Sequence, residues 1–581
     1  MSSLVMQLRE RVGEAIAAAL GSEHAGVDPL LTAATNPQFG DFQANVAMSL
    51  GKALGRKPRE VAEAVVGQLR WQGLLAEAPG VAGPGFINLR VDGSVLSEHV
   101  AAVAGDSRLG VPVASPGQRV VVDYSAPNVA KEMHVGHLRS TVIGDCIART
   151  LGFQGHAVIR QNHLGDWGTQ FGMLIEHLRS NGEGGQGAAV ADLSAFYQEA
   201  KRRFDADPDF ADRARQRVVA LQSGDPDTLA QWRRLYDTSI AYFNRTYARM
   251  DVLLENGDIR GESAYNASLP GIVEGLRALQ LASVSEGAVC VFPEGFADRD
   301  GQPLPMIVQK SDGGYLYATT DLAAARYRVA ELGAQRIVYV TDSRQAQHFK
   351  MLFTVLRQTG WAPADVRLDH VPFGTVLGKD KKPFKTREGG TVKLSDVLDE
   401  AEQRAFDLVT AKNAELPEAE RRQIAHTIGV GALKYADLSN DRIKDYVFDW
   451  DRMLALEGNT APYLQYSYAR IQSIFRKAEE AGVRGQGSRV SVAEPAERAL
   501  ALKLLGFAAV VDAVAESLEP HRLCTYLYEL AAAFHSFYEQ CPVLTAADDV
   551  TRTSRLALCD LTARTLKQGL SLLGIAVPPR M

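Results

Sequence analysis

The spacing of apolar and polar residues divides the chain into stretches of different structural type. Residues 2–20 and 57–76 repeat apolar positions with the helical period, whereas PGFINLRV at 84–91 alternates as a strand does. A segment rich in Gly, Ser and Pro at 105–118 then interrupts the pattern, as linkers do. The first stretch therefore predicts a small N-terminal α/β domain over residues 1–112.

A second domain begins at an apolar run that is followed by a turn and then a helix. Val120–Val122 predicts a buried strand, Ser125–Asn128 has turn chemistry, and helical periodicity resumes after His137. Strand, loop and helix in this order are typical of one half of a doubly wound parallel sheet, in which the helix N-terminus faces a ligand above the strand ends. Strand character near Val158 and over Arg336–Val340 extends the predicted sheet.

Changes of composition subdivide the rest of the chain. A Rossmann-type domain is expected over residues 113–394, with a charged, helix-rich insertion at about 180–290 that starts at a Gly-rich break. Helical patterns dominate from residue 395, which predicts a helical connecting region over 395–454 and an all-α domain over 455–581. The predicted fold class is multidomain α/β.

Composition excludes several classes of protein. With 581 residues, 46% apolar and 23% charged, the chain has the make-up of a multidomain globular protein. A net charge of -6 does not indicate an overall basic surface, so any contact with nucleic acid must come from local patches. Charges interrupt the apolar N-terminus, and no apolar run approaches the roughly 20 residues of a membrane span. These features predict a cytoplasmic protein without membrane contact.

The five cysteines are widely spaced. They form no C-x-x-C pair and no Cys/His cluster with zinc spacing. We therefore expect reduced, mostly buried thiols and no protein-bound metal.

The H-x-G-H segment from His134 to His137 carries the first candidate chemistry. Two imidazoles three residues apart at the positive end of a helix can donate hydrogen bonds to phosphate oxygens, and Gly136 leaves room for a flat base. H-x-G-H is also short enough to arise by chance. On its own it leaves both a phosphate-binding helix mouth and an accidental match open.

The segment GGYLYATTDLAAARYR at 313–328 is the second candidate. Its alanines favour helix, and Thr320 or Asp321 stands where an N-cap is expected, so Asp321 is either a cap or a binding residue. Tyr317 lies four residues earlier. A planar guanidinium offers five donors in a fixed fork, which suits a carboxylate beside a phenol. Tyr317 and Asp321 are therefore candidates for binding an arginine side chain.

The third candidate is the basic segment FGTVLGKDKKPFKTREGGTVKLSDVLDEA at 373–401. Between residues 379 and 393 it carries six basic and two acidic side chains, a net charge of +4. Nearby glycines favour a mobile loop that could close on a polyphosphate and neutralise leaving pyrophosphate. A solvated basic loop without a ligand is the other interpretation. The basic residues are Lys379, Lys381, Lys382, Lys385, Arg387 and Lys393.

Taken together, these segments resemble those of class I aminoacyl-tRNA synthetases, and most closely the arginyl-tRNA synthetase family. The resemblance covers almost the whole chain in the expected order. It implies a ligase that activates arginine with ATP and Mg²⁺ and transfers it to the 3′-terminal adenosine of tRNA(Arg). The segments that carry it are NPQFGDFQAN (36–45), SAPNVAKEMHVGHLRST (125–141), NHLGDWGTQFG (162–172), GYLYATTD (314–321), YVTDSRQAQHF (339–349), GTVKLSDVLDEA (390–401), LEGNTAPYLQYSYARI (456–471) and GIAVPPRM (574–581).

The resemblance implies roles for individual residues at the ATP and guanidinium sites. His134, Gly136 and His137 match the ATP signature, with the histidines on the phosphates and Gly136 beneath adenine. Tyr317 and Asp321 match the pair that binds the guanidinium of arginine.

Further contacts to arginine are implied around the same sites. Asn128 matches the residue that holds the amino group, Gln345 matches another polar contact, and His134 lies beside both substrates. Asp123 stands where the family often has an acidic residue near the guanidinium, although it could instead cap the following turn. His348 either contacts the nucleotide or is a structural histidine.

The basic loop departs from the class pattern. Class I synthetases commonly carry K-M-S-K-S, whereas the matching segment here is PFKTR at 383–387, so Thr386 replaces the second lysine. Lys131, three residues before His134, is placed to supply a cation from the opposite wall, and the family is thought to use such a lysine. The remaining candidates for the missing charge or for contacts to ATP are Lys379, Lys382, Phe384 and Lys385.

The resemblance implies tRNA contacts at both ends of the chain, with the N-terminal domain at the tRNA elbow, residues 395–454 at the stem and residues 455–581 at the anticodon. Phe39 and Phe42 are either exposed stacking platforms or the plug of a small core, and we favour the plug. Residues 455–581 contain 13 Lys+Arg and 13 Asp+Glu, so charge lends no support to RNA binding there. Tyrosines of that domain are core or stacking residues. The candidate contacts are Asn36, Phe39, Gln43, Tyr463 and Tyr466.

Two other functions fit these features less well. A class I synthetase for cysteine lacks its zinc spacing here, and one for glutamine would not need a carboxylate at Asp321. A paralogue without catalysis would be expected to lose residues such as His134 and Asn128 first. The family often needs bound tRNA before it activates arginine, and a monomer is expected.

Overall fold

The computed structural model describes residues 3–34, 36–180, 193–384, 392–483, 490–578 and 580–581. The α-helices are α1 (Leu4–Leu20), α2 (Val46–Leu54), α3 (Pro58–Gln68), α4 (Gly93–Gly105), α5 (Val135–Phe153), α6 (Thr169–Ser180), α7 (Leu193–Ala206), α8 (Pro208–Gln222), α9 (Pro226–Arg249), α10 (Leu269–Ala278), α11 (Tyr317–Ala330), α12 (Ala346–Gln358), α13 (Leu394–Lys412), α14 (Glu418–Leu438), α15 (Trp450–Met453), α16 (Ala461–Glu480), α17 (Pro495–Leu505), α18 (Phe507–Ser517), α19 (His521–Gln540) and α20 (Asp549–Leu572). The strands are β1 (Leu31–Ala33), β2 (Phe42–Ala44), β3 (Gly80–Ala82), β4 (Phe86–Leu89), β5 (Arg119–Asp123), β6 (Ala157–Gln161), β7 (Ala282–Ser285), β8 (Ala288–Val291), β9 (Met306–Gln309), β10 (Arg336–Asp342), β11 (Arg367–Phe373), β12 (Val376–Leu377) and β13 (Tyr446–Val447).

The N-terminal part of the chain is the predicted α/β unit. Its antiparallel sheet has the order β1-β2-β4-β3, with α3 packed on β3 and β4 and α1 packed on α3. Helix α1 buries Leu4, Leu8 and Val12, whose spacing of four residues puts them on one face. Ser3 caps this helix by accepting a hydrogen bond from the Met6 amide.

The central sheet contains β6, β5, β10 and β11 in this order, and every neighbouring pair is parallel. Val121 is in register with Ile159 on one side and with Ile337 on the other. Val120–Val122 is fully buried. A strand covered on both faces needs such a continuous apolar run, and the predicted parallel sheet is confirmed.

The direction of strand succession reverses between β5 and β10, because β6 lies on one side of β5 and β10 lies on the other. Helix α5 follows β5, and a short 3₁₀ turn over Ser343–Gln345 and then α12 follow β10. Ligands of doubly wound sheets bind in the crevice outside the carboxyl ends of the strands at such a reversal. The candidate residues His134 and His137, which follow β5, and Gln345 and His348, which follow β10, therefore lie at this crevice.

The helix-rich insertion is confirmed between α6 and α11. It consists of α7, α8, α9 and α10, followed by an antiparallel sheet in the order β7-β8-β9. Strands β8 and β9 are in neighbouring positions of this sheet, which is separate from the central sheet.

Helices dominate the rest of the chain, as predicted. After residue 395, the one strand in the described part of the chain is β13, which pairs in parallel with β12. Helix α14 is fixed to α5 by a buried ion pair of 3.0 Å between Arg139 and Asp437. Lys434 on the same helix donates to the Gly574 carbonyl at 2.6 Å, so the end of the chain also lies against this junction.

The five cysteines are buried and free, which confirms the expected thiols. Within the described ranges, no helix is both long and apolar enough to cross a membrane.

Candidate active site

His134 and His137 cap helix α5 reciprocally. His134 is the N-cap, and its Nδ1 accepts a hydrogen bond of 3.0 Å from the Gly136 amide. His137 Nδ1 accepts one of 3.1 Å from the His134 amide, and the two ring centroids are 3.9 Å apart. Because each Nδ1 is an acceptor, each neutral ring carries its proton on Nε2. Both rings therefore have an Nε2–H that is free of the cap.

Both imidazoles are held in the neutral form. Burial lowers the pKa of His134, and the nearby Lys131 and Arg344 charges lower it further. Burial, together with His134 and Lys131, lowers the pKa of His137 to about 3. The pair is thus a set of neutral hydrogen-bond donors near pH 7, with cationic side chains beside it.

Gly136 is required by the cap itself. A Cβ at this position would lie 2.8 Å from His134 Cε1, which leaves no room for a side chain. The contact with His134 is therefore enough to require glycine here, in addition to the predicted approach of a base to its backbone.

The loop between β5 and α5 has a strained backbone. Ser125, Ala126 and Ala130 have φ values of 71°, 46° and 62°, in the left-handed region that is unfavourable for residues with a side chain. Such conformations cost roughly 1–3 kcal/mol each and persist only where surrounding contacts fix them. The strain marks the loop as a shaped part of the crevice.

Helix α9 of the insertion supplies the contacts that fix this loop. Tyr247 Oη lies 2.7 Å from Ser125 Oγ and accepts from Asn162 Nδ2 at 3.0 Å, and Ser239 Oγ accepts from the Ala130 amide at 2.9 Å. Ser239 and Tyr247 have no distinguishing signal in the sequence, because α9 has the pattern of an ordinary charged helix. The inserted helices therefore form one side of the candidate ATP site.

Asn128 lies exposed at the tip of the same loop. The Val129 amide donates to the Gly165 carbonyl at 3.0 Å, and a Cβ at Gly165 would lie 2.1 Å from Asn128 Oδ1. Gly165 is thus the residue that lets the Asn128 side chain lie over the 162–172 segment.

Lys131 lies against the insertion on the ATP side of the crevice. Its Nζ is 4.4 Å from the ring centroid of Tyr197 on α7. Its charge lowers the pKa of both His134 and His137, which places it beside them as the resemblance implies.

The segment 392–394, on the opposite side of the candidate ATP site from Lys131, also contacts the N-terminus of α5. The Val135 amide donates to the Val392 carbonyl at 3.2 Å, and the Leu394 amide donates to the Met133 carbonyl at 2.9 Å. Lys393 Nζ pairs with Glu132 at 2.7 Å. The chain that follows the basic loop is therefore bonded to the start of α5.

The lysines of the basic loop differ in their surroundings. Lys379 Nζ lies 3.3 Å from Asp449 and 3.8 Å from Asp451, so acidic side chains already face this cation. Lys382 is exposed in a tight turn, where its carbonyl accepts from the Gly378 amide at 2.8 Å. Lys385 lies outside the described residues.

Phe384, predicted to contact ATP, stacks on Phe448 with ring centroids 4.7 Å apart. This contact anchors the end of the described hairpin on the segment that precedes α15.

Tyr317 and Asp321 lie on one face of a helix. The N-cap predicted at Thr320 or Asp321 is wrong, because α11 already begins at Tyr317 with Leu316 as its N-cap. The first turn is instead tied to β9 through a hydrogen bond from Thr319 to the Val308 carbonyl. Residues four apart on a helix are neighbours, so the phenol and the carboxylate share one side of the crevice.

The carboxylate of Asp321 faces imidazoles rather than cations of Lys or Arg. Its Oδ2 is 2.7 Å from His348 Nε2, and its Oδ1 is 3.8 Å from His163 Nε2. The Tyr317 ring is 62% exposed and meets the His348 ring edge-on at 4.9 Å. The structure therefore brings His348 to the predicted guanidinium pair.

Gln345 ends the 3₁₀ turn after β10 and is exposed three residues before His348. Glu262, which has no distinguishing signal in the sequence, provides a second carboxyl group near Asp321. Burial, followed by the charges of Asp321 and Asp166, raises the pKa of Glu262 to about 8. A cation bound beside these carboxyl groups would lower the pKa of Glu262 again, so the arrangement favours a cationic ligand.

Asp123 is engaged in a buried ion pair. Its Oδ2 accepts from Arg328 Nη2 on α11 at 2.7 Å, and Arg328 Nε donates to Gln161 at 2.6 Å. The Asp123 carboxylate thus contacts the helix that carries Asp321, and the alternative role as a cap of the following turn is not observed.

Replacing Asp123 with asparagine is expected to lower the free energy of unfolding by about 3–5 kcal/mol, because the buried Arg328 guanidinium would lose its counter-charge. Urea unfolding measures this loss. The control is Asp205→Asn, which removes an exposed pair with Lys201 at 2.6 Å and is expected to cost less than about 1 kcal/mol. Unchanged stability together with a specific loss of arginine affinity would instead make Asp123 a direct substrate contact.

The candidate tRNA contacts at the N-terminal end lie at the surface. Asn36 caps the turn Pro37–Phe39 by accepting from the Gln38 amide at 2.9 Å, and Gln43 donates to Asn88 at 2.8 Å. Phe39 is 45% exposed, so the interpretation as a core plug is wrong for this ring. It is correct for Phe42, which packs against the core.

The tyrosines of α16 also differ. Tyr463 packs against His535 and Tyr528, with ring centroids at 5.5 Å and 5.8 Å. Tyr466 is 37% exposed, with the Lys412 ammonium 6.0 Å from its ring. Of these two rings, only that of Tyr466 is exposed enough to stack on a base.

Across the described part of the chain, no group of three or more His, Cys, Asp or Glu side chains is placed to hold a metal ion.

Three family models together match almost the whole chain. The model described as "tRNA synthetases class I (R), catalytic domain" matches residues 99–450, "DALR anticodon binding domain" matches 464–581, and "Arginyl tRNA synthetase N terminal domain" matches 6–91.

Curated relatives are similar over their full length. The arginine–tRNA ligase of a Synechococcus species is 53% identical over 589 residues, covering 100% of both chains. The arginine–tRNA ligase of Thermobifida fusca is 53% identical over 578 residues, covering 99% of both.

Solved structures agree in fold. The arginyl-tRNA synthetase of Plasmodium falciparum superposes with a TM-score of 0.85 at 30% identity and covers 100% of both chains. That of Thermus thermophilus has a TM-score of 0.81 at 26% identity and covers 99% of this chain and 100% of its own.

Proposed function

This chain belongs to the arginyl-tRNA synthetase family, and from that premise we propose which of its side chains carry the two steps of the reaction. The ligase first joins arginine to ATP as arginyl-adenylate, with release of pyrophosphate, and then transfers the arginyl group to the 3′-terminal adenosine of tRNA(Arg).

The observation that carries the substrate assignment is the environment of Asp321. Within the described residues this carboxylate pairs only with His348 and His163 and has no Lys or Arg partner. A carboxylate at the crevice without a resident cation is matched to a guanidinium that arrives with the substrate. Tyr317 covers the same position, and Glu262, whose pKa is raised to about 8, is a second carboxyl group beside it that ionises where a cation offsets its charge.

Lysine is rejected at this site by geometry. An ammonium cannot donate two parallel hydrogen bonds to one carboxylate, and the unpaired oxygen would cost on the order of 1–3 kcal/mol. Asn128 and Gln345 bind the end of arginine that carries the α-amino and carboxylate groups. His134 lies where this end meets the triphosphate of ATP. Asp123 acts on the pocket through Arg328 and the position of α11.

In the first step, the arginine carboxylate attacks the α-phosphorus of ATP in line. The reaction needs little proton transfer, so positioning and neutralisation of charge supply most of the acceleration. His134 and His137 donate from Nε2 to phosphate oxygens, with Gly136 beneath the adenine. Lys131 supplies a cation, assisted by Lys379, Lys382 or Lys385 of the basic loop, whose Phe384 lies at the edge of the site. Mg²⁺ travels with the triphosphate and adds positive charge there.

The tRNA is held by the two ends of the chain. The N-terminal domain, 1–112, contacts the tRNA elbow through Asn36, Phe39 and Gln43, and residues 395–454 contact the stem. The domain 455–581 binds the anticodon, with Tyr466 exposed at its surface and Tyr463 half-buried beside His535. The catalytic domain is 113–394. The enzyme acts in the cytoplasm as a monomer.

An ATP–pyrophosphate exchange assay with each of the twenty amino acids, run with and without total tRNA, tests this function. Of the twenty amino acids, only arginine is expected to support exchange, and only when tRNA is present. Exchange with arginine in the absence of tRNA would contradict the requirement for tRNA. Exchange with cysteine or glutamine, or none with any amino acid, would contradict the assignment itself.

A further inference from the structure

Lys131 is held by an aromatic ring instead of a carboxylate. Its Nζ lies 4.4 Å from the centroid of Tyr197 on α7, and across the described ranges it has no ion pair and no hydrogen bond from its ammonium. The neighbouring cations Lys379 and Lys393 both face acidic side chains, at 3.3 Å and 2.7 Å. Of these three cations, Lys131 is thus the one whose charge is not already neutralised by an acidic side chain of the described residues.

We propose that Tyr197 is a positioning residue for the first step, which holds the Lys131 ammonium where the triphosphate binds. This inference rests on the proposed role of Lys131. An aromatic face attracts an ammonium without neutralising it, whereas a carboxylate would compete with the incoming phosphate. The ring also limits the rotamers of a flexible four-carbon side chain before ATP arrives.

The insertion is built to hold Lys131 from two directions. The Ala130 amide, immediately before Lys131, donates to Ser239 on α9 at 2.9 Å, which fixes the backbone. Tyr197 on α7 contacts the far end of the side chain. Phe196, the adjacent residue, is buried and packs against His177 on α6 with ring centroids 5.0 Å apart, so the position of α7 is itself fixed.

The position of Lys131 in the chain explains why its side chain is supported by the insertion. Lys131 replaces a cation that the basic loop lacks at Thr386, and it belongs to a loop without regular structure between β5 and α5. A lysine that must act from such a loop needs an external support for its side chain. Tyr197 gives that support without adding a charge.

The test compares Tyr197→Leu, Tyr197→Met and Tyr197→Phe in steady-state arginylation of tRNA with ATP and arginine varied separately. The Leu and Met variants remove the ring and are expected to lower kcat/KM for ATP by about 3- to 30-fold, the range of a cation–π contact. The KM for arginine should change less than about twofold, and the Phe variant should keep near-normal values, because the face of the ring remains. Having two ringless variants ensures that a folding defect of one of them does not decide the result.

The matched control is Phe204→Leu on the same helix. Phe204 also carries cationic neighbours, with Lys201 and Arg215 at 5.6 Å and 5.7 Å from its ring, but neither is a candidate for binding ATP. Its removal is expected to leave kcat/KM for ATP within about twofold of normal. An equal loss in this variant would mean that α7 merely supports the fold, and it would overturn the proposal.

A double-mutant cycle with Lys131→Met decides whether Tyr197 acts through Lys131. In the Lys131→Met background, loss of the ring should cause no further decrease, because the ammonium that it positions is gone. A full additional loss, or a Phe variant as impaired as the Leu variant, would overturn the proposal. Failure of the unmodified enzyme to charge tRNA with arginine would contradict the function itself, whereas normal charging by every Tyr197 variant would contradict only this inference.

Discussion

Replacing Asp321 with asparagine is expected to raise the KM for arginine at least about 30-fold while changing the KM for ATP less than about threefold. The amide keeps the shape of the side chain but loses the charge that pairs with the guanidinium, and removal of one partner from such a desolvated pair costs about 2–5 kcal/mol. Arginylation of tRNA with each substrate varied in turn measures both constants.

The control for this prediction is Asp312→Asn in the turn that precedes α11. Its Oδ1 accepts from the Gly314 amide at 2.9 Å, and asparagine keeps this acceptor, so both constants should stay near normal. If Asp321→Asn raised the requirements for ATP and arginine equally, Asp321 would support the fold of the crevice and would not bind the guanidinium.

Replacing Lys131 with methionine is expected to lower kcat by about 100- to 1,000-fold at saturating arginine. Methionine has a similar length but no charge, so the triphosphate would lose a cation where negative charge develops as pyrophosphate leaves. Single-turnover formation of the adenylate in the presence of tRNA isolates this step from product release.

Lys379→Met is the matched substitution on the opposite wall. Because Asp449 and Asp451 already face Lys379, its loss is expected to reduce the same rate less than about tenfold. A larger effect for Lys379→Met than for Lys131→Met would show that the essential cation belongs to the basic loop and is not Lys131.

Local pattern was sufficient to predict β5, β6 and β10 of the central sheet and the N-terminus of α5, whereas the edge strand β11 was not predicted. The run Val120–Val122 is apolar at every position because both faces of β5 are covered, and turn residues follow it directly. The reciprocal cap of His134 and His137 depends on residues three apart, a spacing that is visible in the sequence.

Contacts between distant segments could not be predicted in the same way. The ion pair of Asp123 joins residues 205 positions apart, and that of Lys379 depends on Asp449 in a later segment. The N-cap of α11 lies four or five residues before the position expected at Thr320 or Asp321, because the first turn is fixed by a contact to β9 and not by a side-chain cap. Glu262 has no local signal at all, since its raised pKa arises from burial and from carboxylates elsewhere in the chain.

The insertion is where prediction from sequence was weakest. Tyr197, Ser239 and Tyr247 lie on helices whose composition indicates only a charged, solvated surface. Their contacts to the loop between β5 and α5 exist because the insertion folds back over the strand ends. Hydrophobic periodicity reports the buried face of a helix but not the polar residues with which it meets another segment.

The most direct measurement is a crystal structure of the enzyme with a stable analogue of arginyl-adenylate. The guanidinium is expected to donate two hydrogen bonds of about 2.7–3.2 Å to Asp321, with the phosphate beside His134 and His137 and the Lys131 ammonium facing the position of the departing pyrophosphate. A guanidinium bound away from Asp321, with Asp321 still paired only to His348 and His163, would contradict the assignment of this crevice as the arginine site.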